Sequence, residues 1–152
     1  MTPVGFGPFE TPVRSRSARP LVLVVEDTLD QRDLFVTELT SAGFDVLEAA
    51  DGESAIEEAK RSRPRAVVLD LMLPGVSGFN VARVLRANES TQDALIVAVT
   101  ALSSDTFRTY ALDAGCDSVI RKPVIGATVV GEVVRLLAKR LAPTPPASKS
   151  SV

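Results

Sequence analysis

The sequence of 152 residues contains no histidine, and Cys116 is its single cysteine. The absence of histidine excludes imidazole from this chain as a metal ligand, as a general acid or base and as a phosphoryl carrier. A lone cysteine excludes an internal disulfide and fits a reducing compartment, so we expect a cytoplasmic protein. Cys116 itself is expected to be a small packing residue.

Long apolar runs and strong charge are also missing. No stretch approaches the roughly 20 apolar residues of a membrane helix, and the start of the chain lacks the apolar block of a signal peptide. The formal net charge of −2 gives no field that attracts nucleic acid or an anionic membrane surface. We therefore expect neither nucleic acid nor a membrane as a partner. With 45% apolar and 24% charged residues, the composition is that of a globular protein with a sizeable core.

Proline-rich segments without periodicity stand at the two ends of the chain. Residues 1–19 end in a cluster of arginines and are predicted to be a flexible arm. Residues 143–152 are rich in proline and serine and are predicted to be a disordered tail. The interval 20–142 is then a single predicted domain. Because the closing tail is too short for an output domain, the sequence predicts a stand-alone domain.

Between these ends, short apolar runs alternate with segments of helical periodicity. The predicted strands are 21–25, 45–49, 66–70, 95–99 and 117–120. The predicted helices are about 29–42, 52–61, 77–87, 103–114 and 125–141. Five strands alternating with five helices indicate an α/β fold with a parallel sheet covered on both faces. The chain length favours an open, doubly wound sheet over a barrel, which needs about 250 residues.

Polar residues follow four of the predicted strands. Asp70 ends the third strand, and taken alone it is a reactive group, a metal ligand or a cap for the next turn. Glu26 and Asp27 follow the first strand, Thr100 follows the fourth and Lys122 follows the fifth. Because the carboxyl ends of parallel strands meet at one edge of a sheet, we expect these side chains to lie close together.

Three carboxylates that lie together repel each other and raise one another's pKa unless a cation joins them. Lys122 is one such cation, and a hard divalent ion of the Mg²⁺ type is the other. A site with carboxylates, a divalent cation, a lysine and a hydroxyl suits a phosphoryl group, with a carboxylate as the nucleophile.

The motifs at the strand ends resemble those of the receiver domain of two-component response regulators. They are Glu26-Asp27, Asp70 followed by Leu71-Met72-Leu73-Pro74-Gly75 and Gly78, Thr100-Ala101, and Lys122-Pro123. The resemblance extends from about residue 21 to residue 141. It implies a flavodoxin-like receiver fold with the strand order 2-1-3-4-5.

The resemblance implies a role for each acidic residue. Asp70 would accept a phosphoryl group from a phosphohistidine on a partner histidine kinase or phosphotransfer protein. Mg²⁺ would be bound by Asp27, by Asp70 and by the main-chain carbonyl of Met72, while Glu26 would act mostly through water.

Thr100 and Lys122 would each contact an oxygen of the phosphoryl group. The bond before Pro123 would be cis and would aim Lys122. Receivers commonly carry an aromatic residue three positions before the lysine, and this chain has Val119 there. The phosphoryl chemistry does not require that residue, but the aromatic half of the usual switch is absent.

The last predicted helix carries apolar residues on two parts of its surface. The set expected to pack on the sheet is Val130, Val133, Val134, Leu137 and Leu141. A second set is predicted to form a partner or homodimer surface, and it consists of Ile125, Val129 and Leu136.

The predicted function is a response regulator that is phosphorylated on Asp70 with Mg²⁺ and then changes its affinity for a downstream protein. It would promote its own phosphorylation and dephosphorylation without being a turnover enzyme. The alternative is a receiver-like interaction or dimerisation module that is not phosphorylated. A hydrolase with an aspartyl nucleophile is disfavoured because Met72 stands where a second acid is usual. A nucleotide-binding domain is disfavoured because no glycine-rich loop follows the first strand.

Overall fold

The computed structural model describes residues 19–102 and 104–141. Its elements in chain order are β1 (Leu21–Val25), α1 (Leu29–Ser41), β2 (Asp45–Ala49), α2 (Gly52–Ser62), β3 (Ala66–Asp70), α3 (Gly78–Ala87), β4 (Leu95–Thr100), α4 (Asp105–Ala114), β5 (Ser118–Arg121) and α5 (Gly126–Leu141). Each lies within two residues of its predicted bounds. The predicted arm, apart from Arg19, and the predicted tail lie outside the described residues. Across the described ranges, no helix has the length and apolar character needed to cross a membrane.

The five strands form one parallel sheet in the order β2-β1-β3-β4-β5. This confirms the doubly wound α/β fold and the strand order that the resemblance implied. β3 lies at the centre, with β1 on one side and β4 on the other. Its five residues are all buried, which explains why the third strand is a continuous apolar run into Asp70. The carboxyl ends of β1, β3 and β4 therefore lie side by side.

The sheet separates two apolar layers. Along β1, Val22 and Val24 face the layer covered by α1 and α5, which we call the α1/α5 layer. Leu23 and Val25 face the opposite layer, which is covered by α2, α3 and α4. This alternation is the period of two that a strand buried on both faces requires.

The buried face of α5 differs from the predicted one. Val129 and Leu136, predicted as partner surface, are 0% and 8% exposed and pack in the α1/α5 layer. Val134 and Leu141, predicted to pack on the sheet, are 46% and 69% exposed. Of the predicted partner surface, Ile125 alone is exposed, at 68%. Apolar residues cover so much of the circumference of α5 that periodicity alone does not define the buried arc.

Packing against α1 selects the buried arc of α5. Gly126, the first residue of α5, is buried, and a Cβ atom there would overlap the side chain of Glu38 on α1. The two helices therefore approach closely at this point, and the residues of α5 that follow on the same side are buried. Contacts between two neighbouring helices are not visible in the periodicity of either one.

A hydrogen bond from Ser118 on β5 to Glu132 joins the edge strand to α5. Glu132 also accepts hydrogen bonds from Arg135 at 2.8 and 2.9 Å. The hydrogen bonds from Arg135 and Ser118 lower the pKa of Glu132 from 4.5 to about 2. Because the pKa is depressed in the folded state, the ionised carboxylate stabilises the fold above the unfolded-state pKa. This stabilisation is lost as the pH falls from 4.5 towards 2.

We expect Glu132→Gln to lower the free energy of unfolding near neutral pH, with a difference from wild type that shrinks as the medium is acidified. Urea unfolding of both proteins at several pH values between about 7 and 3 measures this difference. A difference that stays constant over the whole range contradicts the assigned role of the carboxylate.

Candidate functional site

The five polar residues predicted to meet at the carboxyl edge of the sheet are brought together by the fold. Glu26 and Asp27 follow β1, Asp70 ends β3, Thr100 ends β4 and Lys122 follows β5. The Lys122 main-chain N–H donates a hydrogen bond of 2.7 Å to the Thr100 carbonyl. The Lys122 side chain reaches back across the sheet edge to two of the three acidic residues.

Three carboxylates form a cluster at this edge. One carboxylate oxygen from each of Glu26, Asp27 and Asp70 lies within 4.8 Å of the others. Glu26 and Asp70 are buried, with 1% and 5% exposure, while Asp27 is exposed. In the part of the chain that the structure describes, no other group of acidic, cysteine or histidine side chains meets in this way. The cluster thus has two buried members and one that faces solvent.

Lys122 is the cation of the site. Its Nζ donates to Glu26 Oε1 at 3.0 Å and to Asp70 Oδ2 at 3.3 Å. Burial raises the pKa of Glu26; the hydrogen bond from Lys122 opposes this shift and the charge of Asp70 adds to it. Burial by itself lowers the pKa of Lys122, but the Glu26 hydrogen bond and the Asp70 charge together raise it above its usual value. Lys122 is therefore a protonated ammonium at neutral pH.

The charges of the site fit a divalent cation. Counted formally, the three acidic side chains and Lys122 carry a net charge of −2 at this edge. Oxygen ligands of this kind are those that Mg²⁺ prefers in proteins. The geometry also leaves the exposed Asp27 accessible to an ion. The donor set and its charge therefore agree with the predicted metal site.

Asp70 is oriented through both of its carboxylate oxygens. The Met72 main-chain N–H donates to Oδ1 at 2.9 Å, and Lys122 donates to Oδ2. Behind the carboxylate, α3 begins at Gly78, whose N–H donates to the Leu71 carbonyl at 3.1 Å. Met72 contacts the site through its main-chain N–H. The role of its carbonyl as a metal ligand stays a prediction.

Thr100 is buried, with 2% exposure. Its Oγ1 accepts a hydrogen bond of 3.0 Å from the main-chain N–H of Leu102. Because that bond uses the oxygen as an acceptor, the hydroxyl proton is available for donation to another oxygen. The bond between Lys122 and Pro123 is cis, as the resemblance implied.

Arg32 contacts the site and was not predicted from the sequence. Its Nη1 donates to the main-chain carbonyl of Glu26 at 2.8 Å, and its Nε donates to Glu48 Oε1 at 3.1 Å. A signal for it exists in the sequence: Arg32 lies in the first turns of the helix that follows the acidic pair. Helical side chains point towards the amino end of their helix, which here lies beside the end of β1.

The fold and the site define an α/β domain with an acidic, lysine-bearing site at the carboxyl edge of a parallel sheet. The family model described as the response regulator receiver domain matches residues 22–133 of this chain. The chain therefore belongs to the response regulator receiver family.

The similar curated proteins are regulators. Transcriptional regulatory protein PrrA of Mycobacterium tuberculosis is 37% identical over 121 residues, which are 80% of this chain and 51% of PrrA. Probable transcriptional regulator ycf27 of Porphyridium aerugineum is 41% identical over 102 residues, which are 67% of this chain and 41% of ycf27. The chain thus spans about half the length of the curated relatives it matches.

Similar solved structures are receiver domains or response regulators. The receiver domain of sensor histidine kinase PA1611 from Pseudomonas aeruginosa is 32% identical, with a TM-score of 0.69 over 80% of this chain and 97% of that one. That structure has a magnesium ion coordinated in its active-site cleft. A putative response regulator from Chloroflexus aurantiacus is 27% identical, with a TM-score of 0.74 over 79% of this chain and 98% of that one.

Proposed function

We propose that this receiver domain is a phosphorylation-dependent switch with Asp70 as the phosphoryl acceptor. The donor is a phosphohistidine on a partner histidine kinase or phosphotransfer protein, and the output is a changed affinity for a downstream protein. The observation that supports this most strongly is the buried Asp70 carboxylate, with the Lys122 ammonium at 3.3 Å and two further carboxylates beside it.

Mg²⁺ is the proposed cofactor. Asp27 and Asp70 would hold it directly, together with the Met72 carbonyl that the family resemblance implies, and Glu26 would act mostly through water. When bound, Mg²⁺ offsets the negative charge that the carboxylates and the phosphoryl oxygens bring together. The magnesium ion in the similar PA1611 receiver domain supports this choice of metal.

The transfer forms one bond and breaks one. An oxygen of the Asp70 carboxylate attacks phosphorus, an oxygen–phosphorus bond forms, and the phosphorus–nitrogen bond of the donor breaks. The electron pair of that bond returns to the donor imidazole, and Asp70 becomes an acyl phosphate. Lys122 offsets negative charge on the phosphoryl oxygens with its ammonium group.

Thr100 connects the new phosphoryl group to the loop after β4. Its hydroxyl proton is available for a phosphoryl oxygen, while its Oγ1 already accepts from Leu102 in that loop. A phosphoryl group at Asp70 gives Thr100 and Lys122 a new common partner. Phosphorylation therefore favours the conformation in which Thr100 and Lys122 both contact the phosphoryl group over the conformation in which they do not.

The proposal is tested by incubating the full chain with a small phosphodonor and Mg²⁺ and measuring its intact mass. We expect a gain of one phosphoryl group, which is lost in acid and in base and does not form in the presence of a chelator. Because the chain has no histidine, a labile adduct cannot be a phosphohistidine. A wild-type chain that gains no mass contradicts the proposal and favours a module that binds partners without phosphorylation.

Thr100→Ala is expected to form the adduct but to respond to it less. The substitution removes the hydroxyl that would contact the phosphoryl group and leaves Asp70 and Lys122 in place. The measurement is amide hydrogen exchange in the loop after β4, with and without the phosphoryl group.

Thr91→Ala is the matched control for this variant. Thr91 is also a buried threonine, and its hydroxyl donates to the Leu85 carbonyl at 2.7 Å, away from the acidic cluster. It should lose stability yet keep the wild-type exchange response. An undiminished response in Thr100→Ala shows that the assigned role of Thr100 is wrong.

A further inference from the structure

Arg32 links three elements beside the acidic cluster. It lies in α1, and its guanidinium group donates to the Glu26 carbonyl at the end of β1 and to Glu48 on β2. Its side chain is only 16% exposed, and its hydrogen bond to the Glu26 carbonyl is partly buried, while the one to Glu48 lies at the surface. Two donors of one planar guanidinium group hold it in a fixed orientation.

The carbonyl that Arg32 contacts belongs to the peptide group between the two neighbouring acids. Arg32 therefore fixes the plane of the main chain from which the Asp27 side chain projects. The main chain here is held from the other direction as well, because the Glu26 N–H donates to the Ala49 carbonyl at 3.1 Å. The orientation of the Glu26–Asp27 peptide group is thus set by contacts with α1 and β2.

Asp27 depends on this main-chain support more than the other two carboxylates do. Glu26 accepts hydrogen bonds from Lys122 and from the Thr28 N–H, and Asp70 accepts from Lys122 and from the Met72 N–H. Within the described residues, the Asp27 carboxylate has no hydrogen bond or ion pair. The main chain therefore fixes where the Asp27 side chain is attached, and no described hydrogen bond fixes the carboxylate further.

We propose that Arg32 is a positioning residue for the metal site and acts by holding the Glu26–Asp27 peptide group. The inference rests on the proposed Mg²⁺-dependent function.

The charge of Arg32 and its positioning role have opposite consequences for a bound cation. As a positive charge near three carboxylates, Arg32 repels a bound cation. If only this charge mattered, replacing Arg32 by a neutral residue would strengthen Mg²⁺ binding. If Arg32 positions Asp27, its removal weakens binding.

The test is the Mg²⁺ dissociation constant of the full chain, measured by isothermal titration calorimetry at fixed pH and ionic strength. We expect Arg32→Met to weaken Mg²⁺ binding about tenfold, the effect typical of residues that orient metal ligands. Arg32→Lys keeps the charge but lacks the planar two-donor geometry, and it should also bind Mg²⁺ more weakly than wild type.

Arg83→Met is the matched control, because among residues 19–102 and 104–141 Arg83 donates only to Asn80 on its own helix. It removes the same charge and should leave the dissociation constant within about twofold of wild type. A double-mutant cycle shows whether Arg32 acts through Asp27. In the Asp27→Asn background, Arg32→Met should weaken Mg²⁺ binding by a much smaller factor than in wild type.

Several outcomes overturn the inference. They are an Arg32→Met variant that binds Mg²⁺ as tightly as wild type or more tightly, a folded Arg32→Lys variant with wild-type affinity, and an unchanged effect of Arg32→Met in the Asp27→Asn background. Circular dichroism and melting temperatures without metal show whether Arg32→Met is folded. If it is not, the Mg²⁺ affinity of Arg32→Lys decides whether the inference holds. A wild-type chain that binds no Mg²⁺ overturns the proposed function as well, so the two failures are distinguishable.

Discussion

The Asp70→Asn variant is expected to gain no phosphoryl group from a small phosphodonor and Mg²⁺ under conditions in which wild type gains one. The amide of asparagine lacks the charged oxygen that attacks phosphorus, so the loss should be complete. The substitution preserves size and removes one of three neighbouring negative charges. We therefore expect a melting temperature equal to or above that of wild type, which excludes unfolding as the cause. Intact mass and thermal unfolding measure the two quantities.

Asp93→Asn is the matched control for this variant. Asp93 is an exposed aspartate just before β4, at the opposite edge of the sheet from the acidic cluster. The same change of side chain there should leave the phosphoryl adduct at its wild-type level. If the adduct in Asp70→Asn is undiminished, the phosphoryl acceptor is another carboxylate and the assignment of Asp70 is wrong.

Gly78→Ala is expected to destabilise the fold by about 3 kcal/mol, at the upper end of what overpacking a core usually costs. A Cβ atom at Gly78 would lie 2.5 Å from the Cα of Leu71 and would overlap the main-chain carbonyl of Asp70. Both neighbours are backbone atoms, so a rotamer change cannot relieve the overlap. The amino end of α3 must move away from β3, and the Asp70 carboxylate moves with the main chain. Slower formation of the phosphoryl adduct should accompany the loss of stability.

Gly131→Ala makes the same substitution where the opposite result is expected. Gly131 lies within α5, and a Cβ atom there meets no atom of the described part of the chain within 4 Å. Alanine in the interior of a helix is more favourable than glycine by about 0.5–1 kcal/mol, so this variant should be more stable than wild type. Urea unfolding followed by circular dichroism gives both free energies. A loss of stability of similar size in both variants contradicts the structural reason given for Gly78.

The elements and the composition of the site could be predicted from the sequence because both depend on local patterns. β3 is a continuous apolar run because all of its residues are buried, and Asp70 is conspicuous because it interrupts that run. Parallel pairing then requires the residues at the strand ends to share one edge of the sheet. The strand order came from the family resemblance, since local periodicity contains no information about which strands are neighbours.

The predictions that failed concern contacts between elements. Val129 and Leu136 were assigned to the wrong side of α5 because the position of α1 decides which side is buried. Arg32 was not predicted because its hydrogen-bond partners follow β1 and lie on β2, outside its own helix. Its place in the first turns after the acidic pair is the one sequence signal that indicates it. In both cases the contact is made with a different element of the fold. Such contacts form only when the chain folds, so the pattern of a single helix does not predict them.

The division of the interior by the sheet has a consequence for protein engineering. Side chains in the α1/α5 layer and those beneath α2, α3 and α4 belong to separate apolar clusters. Stability changes at sites that share no partners generally add. A library of core variants can therefore be selected on one side of the sheet and combined with a library selected on the other. The number of sequences to be screened then grows as the sum of the two libraries and not as their product.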